Sequence, residues 1–136
     1  MFRVTRQIDF CYGHRLLNYD GKCRFLHGHN GRAVIVIEAP QLDRSGMVLD
    51  FSEIKRVVSG WIDETLDHRM ILHRDDPVVP LLQELGEPLC LIDENPTAET
   101  IAKLIFDFTR KAGFPIIESH LWETPNCFAS YIHSEA

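Results

Sequence analysis

Residues 2 to 10 alternate, with Phe2, Val4, Ile8 and Phe10 on one face and Arg3, Thr5, Gln7 and Asp9 on the other. A period of two predicts a half-buried strand; Arg6 is the exception on its apolar face, and Gly13 is its expected end. The alternation lapses over 15 to 30, where Asn18, Asp20, Gly21, Gly28 and Asn30 predict an irregular segment. Arg32 to Ala39 is rich in β-branched residues and is stopped by Pro40, which predicts a second strand antiparallel to the first. Gln41 to Gly46 reads as a turn. Asp50 and Glu53 match a capping box, and Ile54, Val57, Val58, Trp61, Ile62 and Leu66 follow helical spacing over 51 to 66. From 73 to 95, prolines and Gly86 predict a long connection with one short helical turn around Leu81 to Leu85. Thr97 then caps a second helix, with Ile101, Leu104, Ile105 and Phe108 on its core face and Gly113-Phe114-Pro115 at its end. Ile116 to Glu123 and Cys127 to His133 predict a closing hairpin across Thr124-Pro125-Asn126. The order ββααββ predicts one α+β domain over residues 1–136: a four-stranded antiparallel sheet with two helices on one face.

Composition adds bounds. The chain has 136 residues, 45% of them apolar, enough for a real core. No apolar run approaches the roughly 20 residues of a membrane span, and the first residues do not read as a secretory signal. The expected compartment is cytoplasmic. Cys11, Cys23, Cys90 and Cys127 are irregularly spaced and read as reduced thiols, with Cys90 in an apolar loop run. A formal charge of −6 argues against nucleic acid as the partner. Locally the sign reverses: Arg15, Lys22, Arg24 and Arg32 face only Asp20 between His14 and Arg32. That run fits either a small anionic ligand or arginine stems covering apolar surface.

The chemistry concentrates in Cys23-Arg24-Phe25-Leu26-His27-Gly28-His29, with His14 upstream. On an extended backbone His27 and His29 face the same side, and three imidazoles with one open position suit catalytic zinc. Cys23, between Lys22 and Arg24, sits in a setting that favours its thiolate, as base, nucleophile or fourth metal ligand. Asp67-His68 at the end of the first helix reads either as a favourable dipole contact or as an oriented proton carrier. Glu123, before the last turn, reads either as a rim residue or as an acceptor for a pair of parallel N–H groups. His73, His120 and His133 have no constellation around them and read as surface residues.

In combination, Phe10 through Leu16, Cys23 through Asn30, Leu66-Asp67-His68, Asn95 through Glu99 and Trp122-Glu123-Thr124 resemble the 6-pyruvoyl-tetrahydropterin synthase and 6-carboxy-5,6,7,8-tetrahydropterin synthase family. The resemblance implies the tunnelling fold, oligomerising so that sheets close a β-barrel, commonly as a homohexamer with active sites between subunits. It implies zinc on His14, His27 and His29, a catalytic triad of Cys23, Asp67 and His68, and Glu123 as the pterin anchor. Thr97, Glu99 and Thr124 are implied as lesser substrate contacts. The implied substrate is 7,8-dihydroneopterin triphosphate. The carboxy branch, which releases acetaldehyde and triphosphate on the way to queuosine, is favoured over the pyruvoyl branch, which only eliminates triphosphate. A non-catalytic metal- and pterin-binding homologue and a structural zinc site closed by Cys23 are the remaining alternatives. Two positions depart from the family pattern: Tyr12 stands where a small residue is usual, and Gly31 where an aromatic is usual.

Overall fold

The computed structural model describes residues 1–134. Strand β1 (Phe2–His14) pairs antiparallel with β2 (His27–Ala39) in unbroken register from Phe2 opposite Ala39 to His14 opposite His27. β1 therefore runs through Gly13, and β2 begins at His27 rather than at Arg32. The two histidines expected in an irregular segment stand on a strand. α1 (Phe51–Ile54) continues through a π-helical turn (Lys55–Ser59) into α2 (Gly60–Thr65). Asp50 caps it by accepting from the Ser52 backbone N–H. β3 (Arg69–His73) precedes the stretch expected as a connection; within that stretch α3 (Val79–Glu84) takes the place of the expected helical turn, and β4 (Leu89–Ile92) is an added strand. α4 (Ala98–Lys111), β5 (Ile116–Thr124) and β6 (Cys127–Ile132) complete the order.

The sheet has six strands in the order β4-β3-β1-β2-β5-β6. Its antiparallel part, β1-β2-β5-β6, matches the expected hairpins. The expected four-stranded sheet is corrected by β3 and β4, which add parallel strands at the β1 edge. Cys90 accordingly lies in a strand, not a loop. Both short strands are too brief to show a period, and flanking prolines hide them.

Ile8, Phe10, Ala33, Ile35, Ile37 and Leu121 form the inner face of the sheet, against Ile54, Val58 and Ile62 of the first helical run and Ile101 and Ile105 of α4. Trp61 stacks on Phe108 at 4.3 Å and ties the two helical layers together. Phe108 is thus half-buried at a helix contact, and Phe106 takes the buried place on α4.

The chain between β1 and β2 is anchored by a buried ion pair. The Asp76 side chain is fully buried, accepts from Arg15 Nε at 2.8 Å, and also accepts from the Val78 backbone N–H. The Arg15 guanidinium holds its carboxyl below the usual carboxylate range. Asp76→Ala removes the charge-assisted hydrogen bonds to the partly exposed Arg15 and is expected to destabilise the fold by about 2 kcal/mol. Urea denaturation checks this; an unshifted midpoint would show that the pair contributes nothing.

Candidate active site and metal centre

The β1–β2 register builds the centre. His14 lies directly across from His27 and diagonal to His29, which stands opposite Tyr12. Ring centroids are 4.5 Å apart for His14 and His27, 5.0 Å for His14 and His29, and 5.1 Å for His27 and His29. One ligand atom from each falls within 4.8 Å of the others, so the three can hold a metal ion. Gly28 is required by space. A Cβ there would stand 3.0 Å from the Tyr12 carbonyl oxygen across the pair.

Two backbone carbonyls orient the rings. His14 Nδ1 donates to Pro96 O at 2.7 Å, and His27 Nδ1 donates to Phe25 O at 2.7 Å. Each bond fixes the tautomer and leaves Nε2 with a free lone pair, as metal-ligating histidines require. His14 Nε2 and His29 Nε2 stand 3.1 Å apart. Zinc with 2.0–2.1 Å bonds to nitrogen spaces its tetrahedral ligands by about 3.3 Å. The three-imidazole donor set suits zinc, and the His14–His29 separation matches its ligand spacing. His14 is buried, and its pKa is pushed down to about 4, chiefly by that burial and further by the charges of His27 and His29; the Pro96 contact acts the other way. The ring is held neutral, the form that binds metal.

The Pro96 carbonyl is itself positioned. Asn95 accepts from the Leu17 backbone N–H at 2.8 Å and donates to Leu17 O at 2.9 Å, locking the start of α4 to the end of β1. Thr97 caps α4 by accepting from the Thr100 backbone N–H. Asn95 and Pro96 are site residues that the sequence reading missed.

A cavity of about 260 Å³ joins His14 to Cys23, Thr97, Glu99 and Glu123. Five of the residues singled out in the sequence thus share one space. Cys23 is half-buried on a short 3-10 turn (Lys22–Arg24) and is a free thiol. Glu123 Oε2 lies 3.9 Å from His29 Nε2. Burial raises the Tyr12 phenol pKa, and the Glu123 charge adds to that effect.

Asp67, His68 and Thr124 are elsewhere. They line a second cavity, about 750 Å³, on the outer face of the sheet with Gln7, Asn30 and Arg32. Asp67 accepts from the Cys11 backbone N–H at 2.9 Å and from His68 Nδ1 at 2.8 Å. Burial opposes its ionisation, but these two bonds bring its carboxyl below the usual range. His68 Nδ1 is thereby fixed as a donor and Nε2 is left open. The backbone of His68 sits at φ 57°, a left-handed conformation held by its N–H donating to Cys11 O at 2.7 Å. The ring is 78% exposed, presented outward. The Thr124 hydroxyl accepts from the Asn126 backbone N–H and stabilises the hairpin turn.

The basic run is largely engaged. Arg15 is bound to Asp76, Arg24 donates to Asp20 O and Gly21 O, and Arg32 pairs with Asp9. The last two contacts are exposed, and an incoming anion can displace them. Of the three histidines read as surface residues, His120 contacts Glu118 and His133 accepts from Arg110, while the half-buried His73 accepts from the Asp75 backbone N–H.

An antiparallel hairpin that carries three histidines able to hold a metal at one end, with helices packed on one face, fits the tunnelling fold. The family model described as 6-pyruvoyl tetrahydropterin synthase matches residues 3–134. The chain belongs to this family. It is 41% identical over 135 residues to the 6-carboxy-5,6,7,8-tetrahydropterin synthase of Rickettsia felis, covering 94% of this chain and 98% of that one. It is 34% identical over 140 residues to the Haemophilus influenzae protein of the same name, covering 96% and 99%. The crystal structure of an uncharacterized protein from Wolinella succinogenes superposes with a TM-score of 0.83 at 27% identity, covering 98% of each chain. The Caenorhabditis elegans 6-pyruvoyl tetrahydropterin synthase shares the fold, with a TM-score of 0.75 at 24% identity, covering 98% of this chain and 96% of that one. No helix among the described residues is long and apolar enough to cross a membrane.

Proposed function

We propose that the chain is a zinc-dependent 6-carboxy-5,6,7,8-tetrahydropterin synthase, a lyase that converts 7,8-dihydroneopterin triphosphate and releases acetaldehyde and triphosphate. The observation that carries this reading is the shared cavity. It sets Cys23 and Glu123 in one space with His14, one of three histidines that can together hold a metal ion. Relatives named for that reaction, matched over nearly their whole length, support the carboxy branch over the pyruvoyl branch.

His14, His27 and His29 hold the zinc. Bound there, zinc would supply Lewis acidity toward the hydroxyls of the substrate side chain and the C–H beside them. Cys23 takes the proton from that carbon. Asp67 orients His68 through Nδ1, leaving Nε2 to carry a proton between the side-chain oxygens and the thiol. Glu123 accepts the two parallel N–H groups of the 2-amino-4-oxopyrimidine edge, with Thr97 and Glu99 beside it and Thr124 near the neighbouring subunit's site. Cys23 and the Asp67–His68 pair lie on different cavities of one chain. A complete site therefore needs a second subunit, as in a homohexamer, and the soluble cytoplasm is its compartment.

The deciding experiment is product analysis from 7,8-dihydroneopterin triphosphate with zinc-loaded protein. Acetaldehyde and 6-carboxytetrahydropterin are expected. Triphosphate with a retained three-carbon side chain would reassign the chain to the pyruvoyl branch. No turnover, with metal bound and Cys23 reduced, would leave a binding protein.

A further inference from the structure

Tyr12 is in the wrong place to be mere filling. It keeps 3% of its exposure, and its ring stacks on Phe10 at 5.3 Å, meets His14 edge-on at 5.2 Å and leans on His29 at 5.6 Å. The ring fits because residue 31 is glycine. A Cβ at Gly31 would stand 2.8 Å from Tyr12 Cε1 and 3.3 Å from Cδ1. Gly31 is not among the glycines with positive φ, so backbone conformation does not explain it. Space does. The two departures from the family pattern are one feature: an aromatic ring supplied from β1 over a gap left in β2.

The hydroxyl at the end of that ring is fully buried and has no hydrogen-bond partner, the one such side-chain oxygen or nitrogen among the described residues. Buried hydroxyls are almost always satisfied, so an orphan beside a functional centre marks a partner that arrives in another state. Glu123 lies at an irregularity of β5 between Trp122 and Thr124, and its Oε2 reaches within 3.9 Å of His29 Nε2, on the side of the sheet where the Tyr12 ring leans on His29. The Glu123 side chain is 27% exposed, whereas the Tyr12 ring is caged by Phe10, Gly31, His14 and His29.

We propose that Tyr12 is a positioning residue for Glu123: in the ligand-bound site its hydroxyl donates to the Glu123 carboxylate and fixes the edge offered to the ligand's N–H groups. The ligand class is a planar heterocycle with adjacent N–H donors, and the inference rests on the reading of Glu123 as pterin anchor. A carboxylate oxygen that accepts from Tyr12 keeps a second lone pair, so both oxygens remain available for a parallel N–H pair.

The test titrates 7,8-dihydroneopterin into zinc-loaded wild type, Tyr12→Phe, Glu123→Ala and the double variant, following pterin fluorescence, with steady-state kinetics on the triphosphate. Tyr12→Phe keeps the ring and removes only the hydroxyl. It is expected to weaken pterin binding and raise KM by about tenfold, the scale of a hydrogen bond to a charged group, with kcat and zinc content unchanged and Tm of the unliganded protein no lower. On the Glu123→Ala background the same change is expected to have no effect. Unchanged affinity in Tyr12→Phe overturns the assignment of Tyr12 alone. An equal loss with and without Glu123 overturns it too, since the hydroxyl would then act on something else. A wild type that binds no pterin overturns the functional reading itself.

Discussion

His29→Ala is expected to remove the metal from the centre while leaving the sheet folded. Of the three ligands it carries the least structure. His14 is buried and tied to Pro96, and His27 is tied to Phe25, whereas the contact recorded for the His29 ring nitrogens within hydrogen-bond reach is His14 Nε2 itself. Removing it leaves two ligands and an open site. Metal analysis is expected to show near-complete loss of zinc, and turnover is expected to fall by ~10³-fold or more, the scale of several kcal/mol of charge stabilisation. Tm of the metal-free form should match that of chelated wild type. Retained zinc at full occupancy would mean that the histidine cluster is not the metal centre. Cys23→Ser sharpens the result. If it keeps its zinc while turnover collapses, the thiol is a reactive group; if the zinc leaves as well, Cys23 is the fourth ligand and the centre is closed.

The sheet's antiparallel part was legible because its strands alternate or carry β-branched runs, and the helices because Asp50 and Thr97 announce their starts. β3 and β4 were not legible. Four- and five-residue parallel strands leave no period to read, and what makes them strands is pairing: β3 with β1 at Tyr12 to His14, and β4 with β3. The metal cluster was legible as His27-Gly28-His29 on an extended backbone. That His14 completes it depends on register, since a slip of one residue would turn the ring to the other face. The carbonyls of Pro96 and Phe25, which fix the tautomers, have no side-chain signature and so no trace in the sequence. Nor does the chain order reveal that Asp67 and His68 face away from Cys23. That separation arises because His68 joins Cys11 at the edge of β1, while Cys23 folds over the opposite face.

That separation leads to the second large effect. A Cys23→Ala variant and a His68→Ala variant are each expected to be nearly inactive alone, yet to regain activity when unfolded together and reassembled. In a mixed assembly, a site that takes its thiol from one chain and its Asp67–His68 pair from a neighbour is intact wherever two undamaged contributions meet. Random mixing of equal amounts makes about a quarter of such sites whole, against none in either parent. The geometry demands this outcome if the exposed His68 ring, held outward by a left-handed backbone, acts on a neighbour's substrate. A single-chain site predicts the opposite, because each damaged chain then carries one lesion in every site it builds. Native mass spectrometry of the mixture establishes that hybrids formed. Hybrids without recovered turnover would place both lesions in one chain's site and require residues 15 to 26 to refold across the sheet edge. Recovery near a quarter of the wild-type rate would locate the chemistry between subunits. It would also explain why one chain keeps Cys23 and the Asp67–His68 pair in different cavities.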